Sequence, residues 1–290
     1  MKQRFRKRRC RIYPVIQAFS AALALMLSAG APAFAQSTVI PTALETQVQS
    51  TPDQRFVIET VTRVYALDPA KGNAPDATAR YVTIASPTLV MGCSEPMGES
   101  ITVLDLARNE MVLLDPPNRR LGRIGLDRLV ASTAQARASE QDASKRSRLG
   151  MDANPQPEPS GDFQIAYPGV HYHAVTTRAP DAEQARRLGR YVDGICRLNF
   201  IQELGPPPFA RIRLNEAIAR QGRFISTLAL NIQPQDSAAN LQASFVRSEV
   251  TWRSDWTQSD MDRYRQVEQM LNSFQETAIS SITSKGRENR

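Results

Sequence analysis

The stretch Ile101–Ile124, ITVLDLARNEMVLLDPPNRRLGRI, sets the strictest limit on how this chain can fold. Three short apolar runs, Ile101–Asp105, Glu110–Asp115 and Arg120–Ile124, are separated by two four-residue polar links. Four residues cannot carry a helical crossover, so successive runs must lie antiparallel, as hairpins of a meander. Each link follows an aspartate and contains an arginine: Asp105 with Arg108, and Asp115 with Arg119. That repeat reads either as a duplicated binding site or as two successive strand exits. Pro116–Pro117 favours the second, because proline presets the turn and aspartate caps it with its side chain. On that reading the Asp/Arg pairs are exposed and worth ~0.5 kcal/mol each.

The rest of the chain extends the β pattern. Arg55–Leu67 is rich in β-branched and aromatic residues and predicts a long strand. Ala79–Gly92 continues the pattern but breaks at Ser86–Pro87, and Phe163–Thr177 predicts a hairpin about Pro168–Gly169. Phe224–Gln233 and Leu241–Trp256 predict two more strands, the latter with a bulge between Phe245 and Val246.

Helical signals are fewer. Leu126–Leu149 predicts a solvated helix, followed by an irregular, proline-containing Gly150–Asp162. Asp181 predicts an N-cap, with Gln184 placed for a capping box, and Leu188, Tyr191, Val192, Ile195, Leu198 and Phe200 form an apolar face. Gly205–Pro208 stops that helix, and Phe209–Gln221 forms a second. Ser259 with Asp262 predicts the start of a C-terminal helix whose apolar stripe runs from Met261 through Leu271 to Ile282. The expected class is α+β: a strongly curved antiparallel sheet, an incomplete β-barrel, covered on one side by amphipathic helices. It forms one domain over 55–284, with a polar helical and linker segment at 126–162.

Residues 1–35 stand apart. Seven basic residues in Met1–Arg11, an apolar run at Val15–Gly30 and the small-x-small site Ala33-Phe34-Ala35 predict an export signal cleaved after Ala35. The alternative is a retained anchor, but the run falls short of the ~20 residues a spanning helix needs. Residues 36–54 read as a flexible leader. Export places the protein in the periplasm or cell envelope, with no stable transmembrane segment after cleavage.

The signal also accounts for the charge. The chain holds 36 basic and 29 acidic residues, a formal +7, and the whole excess lies in Met1–Arg11. What remains is balanced, which removes the basic face that nucleic-acid binding requires. Two cysteines follow the signal, Cys93 and Cys196. In an oxidising compartment they either pair or stay as two buried thiols.

Chemical motifs are sparse. His171 and His173, the chain's two histidines, fall on one face of a predicted strand. The alternate residues Val170, Tyr172 and Ala174 are apolar, so the histidines are expected to face solvent, with no acid or cysteine near them in sequence to complete a metal site. Cys93-Ser94 lacks a nucleophile-elbow pattern, and Gly122 with Gly125 lacks the remainder of a phosphate-binding fingerprint. No catalytic residue, metal ligand or cofactor is therefore nominated. The C-terminal helix is either a lid over a cavity or a cover that completes the core, and Trp252 and Trp256 are expected as core or rim residues.

The hairpins at Val103–Arg120, the Arg197-Leu198-Asn199 helix and the order of elements together resemble the outer-membrane lipoprotein carrier superfamily, and exported bacterial proteins of that fold. The resemblance implies a half-barrel around a hydrophobic cavity and a lipid, lipoprotein or envelope protein as partner. The helix pair at Asp181–Gln221 is larger than a minimal carrier needs, and no ligand-contact residue carries over. The expectation is an exported protein that binds a lipid or other apolar ligand. Alternatives are a structural or protein-interaction module of the envelope with a filled core, and a hydrolase with a site assembled from distant residues.

Overall fold

The structure, a computed structural model, describes residues 54–66, 75, 77–98, 100–202, 206–233 and 243–282. The predicted export signal, its expected cleavage site at Ala35 and all of the expected leader except Gln54 lie outside the described residues.

Local chemistry accounts for the meander. Strands β1 (Phe56–Ala66), β2 (Ala77–Ala85), β3 (Leu89–Ser94), β4 (Ile101–Asp105), β5 (Glu110–Asp115) and β6 (Arg120–Gly125) follow one another antiparallel from β1 to β6. The break before β3 is made by Ser86, whose hydroxyl accepts from the amides of Thr88 (3.2 Å) and Leu89 (2.9 Å). In the two tight links, Asp105 accepts from the Arg108 amide (3.0 Å) and Asp115 from the Asn118 amide (3.3 Å). Each link closes on a left-handed residue, Asn109 (φ 56°) or Arg119 (φ 50°).

The ion pairs differ from expectation at one acid. Arg108 lies 3.5 Å from Asp105, but Asp115 pairs with Arg120 at 3.0 Å and not with Arg119. Arg120 is the direct cross-strand partner of Asp115, whereas Arg119 is exposed at the tip. Nor are the carboxylates exposed: Asp105 and Asp115 each retain 8% of their accessible surface.

The second half adds α1 (Leu126–Ser139), α2 (Ala143–Arg148), β7 (Gln156–Pro157), β8 (Phe163–Tyr167), β9 (Val170–Arg178), α3 (Ala182–Ile201), α4 (Phe209–Arg220), β10 (Arg223–Ile232), β11 (Ser244–Arg253), α5 (Gln258–Ser273) and β12 (Gln275–Glu276). Asp181 caps α3 through the Glu183 amide at 3.1 Å. The cap of α5 is Thr257, not Ser259, with Asp260 returning a bond to the Thr257 amide (2.7 Å) in a full capping box. The expected bulge at Phe245/Val246 is also displaced: β11 keeps register there, and the irregularity sits in β10 between Ile225 and Thr227.

Among the described residues, twelve strands form one unclosed sheet in the order β12-β6-β5-β4-β3-β2-β1-β11-β10-β9-β8-β7, antiparallel except for β12 beside β6. The fold is therefore α+β. The long strand β1 sits mid-sheet, between β2 and a β11 partner nearly two hundred positions away.

Alternation along the strands divides the core between two faces. On one, Val57, Ile84, Met91 and Leu114 cluster with Val267 and Met270 of α5. On the other, Phe56, Val90, Leu104 and Met111 cluster with Leu129 of α1 and with Tyr191 and Leu198 of α3. Farther along that second face, Leu230 and Val246 meet Ala210, Leu214 and Ile218 of α4. Each such large side chain removed from water is worth about 1.5–3 kcal/mol. The helices thus do not share one side, contrary to the expectation of a one-sided cover, because the meander is apolar on both.

Close approach of α3 depends on two glycines. A Cβ at Gly92 would stand 2.2 Å from the Tyr191 Oη, and one at Gly194 would stand 2.5 Å from the Met111 Sδ. Arg187 of α3, itself buried, donates to the carbonyls of Ser86 (2.9 Å) and Gln54 (2.7 Å). The apolar stripe expected to run unbroken to Ile282 ends at Ser273. There Phe274 turns extended, and β12 takes up the free edge of β6. Ile279 then packs against Gly122 on the opposite face from α5. Among the described residues, no helix is long and apolar enough to cross a membrane.

Candidate functional site

The sheet face beneath α3 and α4 carries a row of small side chains. Thr62 of β1 pairs with Ala79 of β2 on one side and with Ser248 of β11 on the other. These three leave space where leucine-sized residues would reach the helices. The hydroxyls of Thr62 and Ser248 bond to each other at 2.8 Å, so the floor is polar in composition but largely satisfied.

Above this row lies a cavity of about 300 Å³, bounded by Val64, Tyr81, Tyr172, Leu228, Leu230 and Val246 with Cys196 of α3 and Pro206–Pro208 before α4. A second cavity of about 190 Å³ adjoins it along Ile58, Leu188, Val192, Phe224 and Val250. The two share Arg211, Leu228 and Ser248. The larger reaches the lower bound for pockets that hold small molecules.

Arg211, on α4, has its Nη1 buried and without a hydrogen-bond partner. Around it stand Cys196 and Asp193 of α3. Burial raises the Cys196 thiol to about 11, with Arg211 working in the opposite direction. Burial likewise raises the Asp193 carboxyl to about 7, against the bond it accepts from the Asn215 Nδ2 at 2.8 Å. Tyr172, facing the same space, is pushed up to about 12 by burial. The site combines an apolar volume, a cation with bonding capacity to spare and a carboxyl close to neutral. It can hold an elongated apolar molecule.

The sequence-predicted residues lie elsewhere or in other roles. Cys93 and Cys196 are free thiols. Cys93 packs with Val82 and Ile84 on the α5 side of the sheet, while Cys196 lines the cavity on the other, so the sheet separates them. His171 and His173 face away from Tyr172, as alternation requires. His171 approaches Gln164 at 3.4 Å and His173 approaches Glu158 at 3.5 Å.

The expectation that no acid lies near the histidines needs correction. The irregular segment folds back as β7 against β8, and Glu158 and Asp162 come within 4.8 Å of His173, all three half-buried. One imidazole nitrogen and two carboxylate oxygens suit a divalent cation. Asp162 is already engaged by the Thr176 amide at 2.9 Å, so the group clamps this loop to β9.

Helix α5 contributes nothing to either cavity. It packs into the core on the face opposite both cavities, as the cover alternative expects. Trp252 stacks on Phe224 at 6.2 Å and Trp256 packs on Tyr264 at 5.0 Å, both as partly buried core-margin residues. The cavity floor and Arg211 were missed in the sequence. One local signal existed: Arg211, Asn215 and Ile218 recur at four and three residues, which places a cation on the buried face of α4.

No model of a known family matches the chain, and no curated protein is similar to it.

Proposed function

We propose that this protein binds a lipid or another apolar molecule between α3–α4 and the β2–β1–β11–β10 part of its sheet, as a carrier or sensor of the cell envelope. In this reading the sheet is a strongly curved, incomplete barrel, roofed on its concave face by the apolar sides of the two helices. The predicted signal takes the chain to the periplasm or envelope, where a lipid or lipoprotein is the partner. One observation carries the proposal: the small-residue row Ala79–Thr62–Ser248 leaves an apolar volume of about 300 Å³ that the side chains of the described residues do not fill. A module built only for structure gains stability by filling such a space.

The test is mass spectrometry of solvent extracts from the purified protein, with titration of the neutral fluorescent probe N-phenyl-1-naphthylamine. Binding is expected in the wild type and lost in Ser248→Leu, which fills the floor. If no apolar molecule co-purifies and the wild type does not bind the probe, the proposal fails.

A further inference from the structure

We infer that the ligand carries an anionic end, a carboxylate on a single apolar chain, and that Arg211 receives it. The inference rests on the cavity reading above and specifies the ligand class. Arg211 stands where the two cavities meet, with its Nη1 buried and unpartnered. A guanidinium held in an apolar space is costly unless an anion and hydrogen-bond acceptors satisfy it.

The protein supplies little of that. Among the described residues neither cavity is lined by an aspartate or glutamate, and beside the weak bond between Arg211 and the Cys196 thiol the Arg211 Nη1 finds no partner. Asp193, a nearby acid, is bonded by Asn215, and burial raises its carboxyl to about 7 while Arg197 and Arg211 work in the opposite direction, so it offers Arg211 at most part of a counter-charge. The other charged residue on the lining is Arg223, whose Nη2 is committed to the Thr176 carbonyl at 3.0 Å.

The local field is therefore positive at the neck and neutral along the walls. That pattern fits a molecule with one charged end and an apolar body, and a planar carboxylate matches the fork of a guanidinium. The tail then lies along Val64, Leu228, Leu230 and Val246.

Displacement of N-phenyl-1-naphthylamine by dodecanoate, 1-dodecanol and dodecyl phosphate tests this on the full-length protein. Dodecanoate is expected to compete about tenfold or more better than dodecanol, and Arg211→Met to bring the two within about twofold while dodecanol binding persists. Equal competition in the wild type overturns the inference and leaves the cavity reading standing. Absence of probe binding overturns both. Dodecyl phosphate outcompeting dodecanoate overturns the carboxylate assignment in favour of a phosphate monoester. Should Arg211→Met lose its native circular dichroism, Arg211→Lys, which keeps the charge without the fork, is expected to show an intermediate preference, and the wild-type comparison decides on its own.

Discussion

Gly92 offers a sharp test of how α3 is seated. An ideal Cβ there stands 2.2 Å from the Tyr191 Oη and 3.2 Å from its Cζ, and the ring is buried with its hydroxyl donating to the Thr102 carbonyl at 3.3 Å. Gly92→Ala must therefore push Tyr191, and α3 with it, off the sheet. Overpacking of this kind costs about 1–3 kcal/mol, offset by up to ~1 kcal/mol from the lower chain entropy of alanine in a strand.

Tyr191→Phe alone loses one hydrogen bond, about 1 kcal/mol, but it also removes the atom in closest conflict. The double variant should thus be more stable than the two single losses predict, with a coupling of about 1–2 kcal/mol. Urea unfolding of the four proteins measures it. Losses that add within about 0.5 kcal/mol would refute the reasoning, because the two positions would then not compete for the same space.

Three further outcomes are expected. The Asp193 carboxyl, raised by burial to about 7 from 3.8, stabilises the fold fully below pH ~4 and loses that contribution as pH rises through about 7; Asp193→Asn should flatten this part of a stability–pH profile, and an unchanged slope would contradict it. Thr257→Ala removes the capping box of α5 and should cost about 1 kcal/mol in chemical denaturation, whereas Ser259→Ala should cost far less. Arg119→Gly should stabilise by about 1 kcal/mol by relieving a left-handed backbone at an exposed tip, and a loss of stability would show that the Arg119 side chain makes a contact worth more than the strain.

What was legible in the sequence was what is decided locally. The bounds of β4 and β5 follow from apolar runs and from aspartates that cap their own turns, so a twenty-residue window contains the whole argument. Asp181 announced α3 in the same way. The misassigned features depend on partners far along the chain. Asp115 finds Arg120 because pairing of β5 with β6 puts them side by side, and α5 ends early because the amides of Gln275 and Thr277 find the Arg119 and Leu121 carbonyls. The cavity is harder still to foresee, since Ala79, Thr62 and Ser248 are innocuous singly and acquire meaning only in register. Arg211 looked like ordinary helix polarity until Asn215 and Ile218 marked its face as buried.

The mid-sheet position of β1 has a consequence for how the molecule comes to be made. The strands on either side of the β1–β11 seam are local in sequence, 77–125 and 156–232, and each set can pair as it emerges. The seam joins the first strand to one whose synthesis begins only at Ser244. Loop closure over that span is slow compared with hairpin formation. Until it happens, the eleven-residue β1 presents an open hydrogen-bonding edge, the feature that invites pairing with other chains. A nascent or truncated chain that stops short of Ser244 is thus poised for intermolecular β-association, and holdase protection of β1 during that interval should decide its yield.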